Sequence, residues 1–414
     1  MNYAERDVVR PLTVCMFSNL FPPIVSGSST QAEGLSRELS KRDHQVIVIT
    51  AQTAGNHNYY EASEGLHVYR LPAISLPRMR ISFNFPWLSY TFTPGNIKRV
   101  HKILRKHQPD VLHLHNHMFD LAFVAVLMRR HINKPLVVTI HTIVKHSLVR
   151  YNLLLAPFDR VFLKHLVIQK TDAIINPDLN TQRYVVKAFG RRDSVIVPYG
   201  ITLPQVTADS TVEYIKKKYH LMGKQVILSL GHVHDIRNRK DLIEAMPFIL
   251  RKVPSAVLLI VGSIATQEPI QRVKRLGLQN SVIFSDYVPH SQIPAFLELA
   301  DIEVHWLNQD SMENTSLGIA SLEAMWAGKV VVAAANERTY GDGVLKNGEN
   351  IILVPPGNSH KVAEIILHLL EDKEKRAAIG VQARQTIMKH FSWESVCTQT
   401  IQVYQEAIRK QTQP

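Results

Sequence analysis

Cysteine is almost absent. The 414 residues hold two, Cys15 and Cys397, too few for a disulfide framework. Cys15 lies in an apolar run and reads as a small hydrophobe. No stretch approaches the roughly 18–20 uninterrupted apolar residues that span a bilayer. The opening Met1-Asn-Tyr-Ala-Glu-Arg-Asp7 lacks the charged-then-apolar layout of a secretion signal. The expected location is cytoplasmic, with a peripheral place on the inner face of the membrane left open. Acidic residues are also scarce, 35 against 48 Lys and Arg, a net charge of +13. The deficit is local. Residues 1–200 hold 25 basic and 13 acidic side chains, a surplus of 12, which leaves 23 against 22 in the rest. The first half is thus suited to an anionic partner, a membrane surface or an acidic acceptor, although a solvated basic surface reads the same way. No nucleic-acid-binding module accompanies the charge.

What is present is ordinary globular composition, 45% hydrophobic and 20% charged, on a chain long enough for two domains with real cores. Strands are expected at 12–17, 45–50, 111–115, 136–141, 173–176 and 195–198, with helices at 30–42 and 119–130 between them. The pattern restarts after Pro204, with strands at 225–230, 256–262, 282–284, 302–305, 330–333 and 351–354 and a helix at 242–252. Such alternation predicts two doubly wound parallel sheets. The segment 393–408 is amphipathic and reads as a closing helix.

In open α/β sheets, ligands bind beyond the carboxyl ends of the strands, and the unusual residues collect there. Gly27 follows the first strand and opens a helix, where backbone can approach a ligand closely. His113 and His115 end the 111–115 strand on one face, and His141 ends the next. A metal site there lacks any supporting acidic or cysteine cluster. The second half opens with Gly231-His-Val-His-Asp-Ile-Arg-Asn-Arg-Lys240, in which Arg237, Arg239 and Lys240 supply fixed charge suited to phosphate. The stretch from Glu313 to Val332 reads as a small-residue loop, a helix and a buried strand. Thr315, Ser316, Leu317 and Gly318 bring backbone N–H groups to a helix start, which attracts an anion. Glu323, inside that helix, suits sugar hydroxyls. A diphosphate-binding end beside a carboxylate suggests a nucleotide-sugar site.

These motifs together resemble the retaining GT-B glycosyltransferases of family four, over nearly the whole chain. Phe21-Pro-Pro23, Gly27, Leu35, Leu39 and Arg42-Asp-His44 resemble the family's opening PP…GG…LA..L..RGH, with one glycine of two and Asp43 for glycine. Pro109-Asp-Val-Leu-His-Leu-His115 resembles PDVVHxH, Val197-Pro-Tyr-Gly-Ile201 resembles IPNGV, and Phe391-Ser-Trp-Glu394 resembles FSWE. The resemblance implies two Rossmann-like domains facing a cleft. These are an acceptor-binding domain over 1–202 and a nucleotide-sugar-binding domain over 203–390, with a helix at 391–414 that crosses back to the first. It implies that Gly27 approaches the donor phosphates, His115 touches the transferred sugar, Gly231, His232 and Arg237 grip the diphosphate, and Glu323 binds ribose. His115, Arg237 and Glu323 are the expected catalytic residues. The donor-binding set is Gly27, Gly231, His232, Arg237, Arg239, Lys240, Thr315, Ser316, Leu317, Gly318 and Glu323. Two departures stand out. His232 replaces the family's arginine, and Thr315 stands where the family has the first glutamate of E-x7-E, with Glu313 a possible substitute carboxylate.

The resulting expectation is transfer of a hexose from a UDP- or GDP-linked sugar, with retention and without metal or cofactor, to an acceptor hydroxyl on a glycan or membrane lipid. Aromatic and basic residues interleave over 71–105, as suits a membrane interface. A catalytically lapsed sugar-nucleotide-binding protein and a nucleotide-sugar epimerase are the alternatives.

Overall fold

The computed structural model of the chain describes residues 10–24, 26–52, 59–76, 88–144, 149–202, 209–233, 238–305, 307 and 316–412. They form two compact units, 1–200 with 393–414, and 201–392.

The first unit contains β1 (Thr13–Ser18), α1 (Gly27–Lys41), β2 (Gln45–Ala51), β3 (Tyr60–Ser63) and β4 (Leu66–Leu71). A two-stranded antiparallel ribbon of β5 (Ile74–Leu76) and β6 (Leu88–Tyr90) follows. Then come α2 (Pro94–His107), β7 (Val111–His115), α3 (Leu121–Ile132), β8 (Leu136–Thr139) and α4 (Val149–Pro157). The unit continues through α5 (Lys164–Leu166), β9 (Ala173–Asn176), α6 (Leu179–Phe189) and β10 (Val195–Ile196). The sheet order is β10-β9-β8-β7-β1-β2-β4-β3, parallel except at the β3–β4 edge. Both faces are covered, which is why the strands are apolar throughout and not alternating. Val14 and Met16 of β1 join Leu35 and Leu39 of α1 on one face. Cys15 and Phe17 join Val100 of α2 and Val124 of α3 on the other.

The second unit contains α7 (Asp209–Lys218), β11 (Gln225–Leu230), α8 (Lys240–Lys252), β12 (Ala256–Val261), α9 (Glu268–Arg275), β13 (Val282–Phe284), α10 (Ile293–Leu299) and β14 (Ile302–Val304). It closes with α11 (Ile319–Trp326), β15 (Val330–Ala333), β16 (Ile352–Leu353), α12 (Ser359–Glu371) and α13 (Lys373–His390). Its all-parallel order is β13-β12-β11-β14-β15-β16. Helices cover both faces, with Leu242 and Val362 on one and Val212, Leu322 and Ile387 on the other.

The last helix, α14 (Trp393–Thr412), follows the second unit in sequence but packs in the first. Trp393 explains how. Its ring fills the space a Cβ would need at Gly34 of α1 and at Gly200, where such an atom would lie 2.0 and 2.3 Å from the indole. Gln31 ties the same turn from the α1 side, donating from Nε2 to Gly200 O at 2.9 Å and accepting from Gly200 N at 3.0 Å.

In each sheet the chain runs outward to one edge, then returns to the other side of its first strand. The reversal falls between β1 and β7 in the first unit and between β11 and β14 in the second. Neighbouring strands there diverge to opposite connections and leave a crevice at their carboxyl ends.

Candidate functional site

In the first unit, His115 ends β7 at that reversal, in register with Ser18 at the end of β1. It is buried, and its ring is sandwiched in a row of aromatics. His113 lies 4.3 Å away by ring centroids, His141 5.2 Å, and Tyr199 5.5 Å beyond His141. Hydrogen bonds run along the row, from Tyr199 Oη to His141 Nδ1 at 3.0 Å and from His141 Nε2 to His115 Nδ1 at 3.0 Å. His115 Nε2 is buried and has no hydrogen-bond partner among the described residues. Burial holds His141 down at about 3, and burial with the neighbouring His113 and His141 holds His115 well below the usual imidazole range. At neutral pH His115 is therefore an uncharged hydrogen-bonding group with one ring nitrogen uncommitted. A small cavity of ≈ 30 Å³ adjoins it, lined also by Gln31, Thr139 and Tyr199. His113 is spoken for, bonded to Thr139 Oγ1 at 2.8 Å and Tyr404 Oη at 2.7 Å. Gly27 is the first residue of α1, behind the N-cap Ser26. A Cβ there would meet nothing within 4 Å, so packing does not require this glycine.

In the second unit, Gly231 follows β11 with φ 107°. Gly262, after β12, lies so close that a Cβ on it would sit 2.4 Å from Gly231 O. Arg239 is only 2% exposed. It donates to Gly231 O at 2.6 Å, His232 O at 2.9 Å, Leu230 O at 3.3 Å and Ser229 Oγ at 3.3 Å. Arg239, expected among the donor-binding residues, has its guanidinium facing inward on the turn's carbonyls, so the turn's shape depends on it. His232 and Lys240 are exposed, Lys240 as the first residue of α8.

The loop before α11 also differs from expectation. Leu317 N donates to Tyr340 Oη at 3.0 Å and Gly318 N to His305 Nε2 at 3.0 Å. These two amides are engaged within the protein, because a buried loop must satisfy its own N–H groups. The orphan donors of the helix start therefore begin one residue later, at Ile319 and Ala320. Ser316 is half-buried. Glu323 is buried in α11 and accepts a hydrogen bond from the exposed His290 at 2.8 Å. Burial raises its pKa, and His290 partly offsets this. Arg237, Glu313 and Thr315 lie outside the described residues.

Sequence reasoning missed three groups. Tyr199 lies inside the Val197-Pro-Tyr-Gly-Ile201 motif, where no role was expected of it, and His290 lies in no motif. Glu303 had a visible signal, a carboxylate inside an apolar strand. It is fully buried in β14, opposite Leu228 of β11. Neither carboxylate oxygen has a partner in good hydrogen-bond geometry among the described residues; burial pushes the group up to about 8, with Ser321, the Leu230 backbone and Arg239 pulling the other way. Among the described residues no group of three or more His, Cys, Asp or Glu is placed to hold a metal ion, and no helix is long and apolar enough to cross a membrane.

Residues 25–204 match the model of Glycosyltransferase Family 4 and residues 211–386 that of Glycosyl transferases group 1. The two matches follow each other along the chain, one in each sheet, and the chain belongs to the group 1 glycosyltransferases of GT-B fold. It is an enzyme of the hexosyltransferase class. It is 24% identical to a glycogen synthase of Mycobacterium tuberculosis, over 97% of each chain. It is also 24% identical to the GDP-mannose-dependent alpha-(1-6)-phosphatidylinositol monomannoside mannosyltransferase of Mycolicibacterium smegmatis, over 92% of this chain and 95% of that one. Among solved structures, Anabaena HepE in complex with UDP superposes with a TM-score of 0.68 at 18% identity, over 95% of this chain and all of HepE.

Proposed function

We propose that the protein is a retaining, metal-independent glycosyltransferase that moves a hexose from a UDP- or GDP-linked sugar to an acceptor hydroxyl. The observation that carries this reading is positional. In each unit the residues singled out by sequence stand where strand order reverses: His115 beside Ser18 in the first, and in the second the Gly231 turn after β11 and Gly318, bonded to His305 after β14, the two strands that flank the reversal. The second unit is assigned the donor. Arg237, His232, Lys240 and the α11 helix start would neutralise the departing diphosphate, a task fixed cations and helix N-termini can perform. Glu323 would hold the ribose. His115 would orient the transferred sugar through its uncommitted Nε2. The bond from the anomeric carbon to the diphosphate oxygen breaks, the bond to the acceptor oxygen forms on the same face, and the acceptor's proton passes to the leaving phosphate oxygen.

The first unit is assigned the acceptor, a glycan or a lipid carrying an acidic group. Its basic surplus supports this, as does a cavity of ≈ 580 Å³ at the carboxyl ends of β2 and β4. Arg99, Lys102 and Lys106 line it with Tyr59 and Tyr69, and the three cations form no ion pair among the described residues. The experiment is nucleotide release from a panel of UDP- and GDP-sugars with soluble and lipid acceptors. Turnover with the anomeric configuration kept, unchanged by a chelator and impaired by Arg237→Ala, is expected. Folded protein that releases no nucleotide with any acceptor would refute the reading. Binding without turnover would instead favour a lapsed nucleotide-sugar-binding protein, the alternative that Thr315 in place of glutamate raises.

A further inference from the structure

Between β8 and β9 the chain forms one continuous helical rod over residues 149–166: α4, a π-helical stretch Phe158–Leu163, and α5. Most of its exposed residues are apolar. Leu153 is 74% exposed, Leu154 76%, Phe162 58% and Val161 53%, with Phe158 and Leu166 also exposed. Single exposed apolar side chains are normal, but a contiguous set marks an interaction surface.

The π-helical stretch makes the set contiguous. Leu154, Phe158, Phe162 and Leu166 recur every fourth residue, as do Leu153, Pro157 and Val161. In α geometry an every-fourth row drifts by about 40° per step. A π-helix has more than four residues per turn, so it rotates both rows back onto one side. The rings of Phe158 and Phe162 stack at 6.4 Å in consequence. The opposite side is fixed to the core. Asp159 and Leu163 are buried, and Asp159 accepts from Tyr184 Oη at 2.7 Å and pairs with His117 Nε2 at 3.2 Å. His117 is two residues from His115, so the rod is held in register with the end of β7.

Charge identifies the occupant. Residues 149–170 carry Arg150, Arg160, Lys164 and Lys170, and their one acid is the inward-facing Asp159. None of the four cations has an acidic partner among the described residues. An apolar face on a segment whose charged residues, apart from the inward Asp159, are all cations matches the interface of an anionic bilayer, with the rings and aliphatic groups below the headgroups and the cations among them. A protein partner of mixed charge would not select against acids in this way. We infer that this rod docks the first unit onto anionic membrane. The inference deepens the lipid-acceptor reading and rests on it for its purpose, but membrane binding itself needs neither donor nor turnover.

The test is flotation of the full chain with phosphatidylcholine vesicles, with and without phosphatidylglycerol. Wild type should float with the anionic vesicles and release as salt rises. Leu154→Ser/Phe162→Ser should lose at least roughly tenfold in apparent affinity, while Met222→Ser, an exposed control in the second unit, should not. Both positions are exposed, so the double variant should keep the wild-type melting curve and its nucleotide release with a soluble acceptor. Wild type that floats with neither vesicle, or a double variant that floats as well as wild type, would overturn the inference. So would a dimer seen by light scattering that the same pair of substitutions abolishes without any flotation; the face would then belong to a second copy. Loss of turnover in wild type with flotation intact would count against the transferase reading and leave the docking surface standing.

Discussion

Glu303 allows a stability measurement that does not depend on any substrate. Its carboxyl is fully buried, and burial raises its pKa from 4.5 to about 8 against the pull of Ser321, the Leu230 backbone and Arg239. Below pH 4.5 it is protonated whether the chain is folded or not and contributes no pH dependence. As pH rises from 4.5 to about 8, the unfolded chain releases this proton and the folded chain keeps it, so folding loses stability by on the order of 1 kcal/mol per pH unit. Above about 8 both states are ionised and the loss is complete, several kcal/mol in all. Glu303→Gln keeps the shape and removes the titration. The difference between variant and wild type is the quantity to measure, because the depressed histidines His113, His115 and His141 titrate in both proteins and cancel. Urea unfolding of the second unit should give similar stabilities at pH 5 and a variant increasingly more stable by pH 8.5. Parallel curves across that range would refute the argument and mean that Glu303 is ionised in place, neutralised by Arg239.

Arg239→Gln should weaken nucleotide binding although the guanidinium faces away from solvent, because the Gly231 turn loses its ties. It should also cost at least about 2 kcal/mol by leaving buried carbonyls without donors, read by calorimetric titration and urea unfolding; unchanged affinity would mean the turn holds itself. Gly34→Ala drives a methyl into the Trp393 ring and should destabilise the first unit by about 1–3 kcal/mol, with altered tryptophan fluorescence; a silent substitution would show that α14 is loosely seated. Tyr199→Phe removes the hydroxyl that sets the His141 and His115 tautomers. It should lower turnover with little change in donor affinity or melting temperature, and equal losses in all three would make Tyr199 a packing residue only.

The doubly wound class was legible because buried parallel strands are apolar end to end, and the runs ending at Phe17, His115, Leu230 and Ala333 have no other reading. The β3–β4 edge was not. In β4 polar His67 and Arg70 interrupt the run, since Arg70 pairs with Glu61 and His67 bonds Tyr60, contacts that exist only once the strands are side by side. The same division runs through the site. Position along a strand is a local property, so His115 and Gly231 stood out. The direction in which a side chain points is not, and Arg239 shows the difference. A basic residue in a Gly-opened loop reads as a ligand for phosphate, yet three carbonyls left at the end of β11 need donors as much as any anion does, and they are nearer. Glu303 supplies the other half of that reasoning. Glu303 stands in an otherwise apolar β14, and the inward Arg239 acts on it, lowering the pKa that burial raises, although the sequence presents the two 64 residues apart.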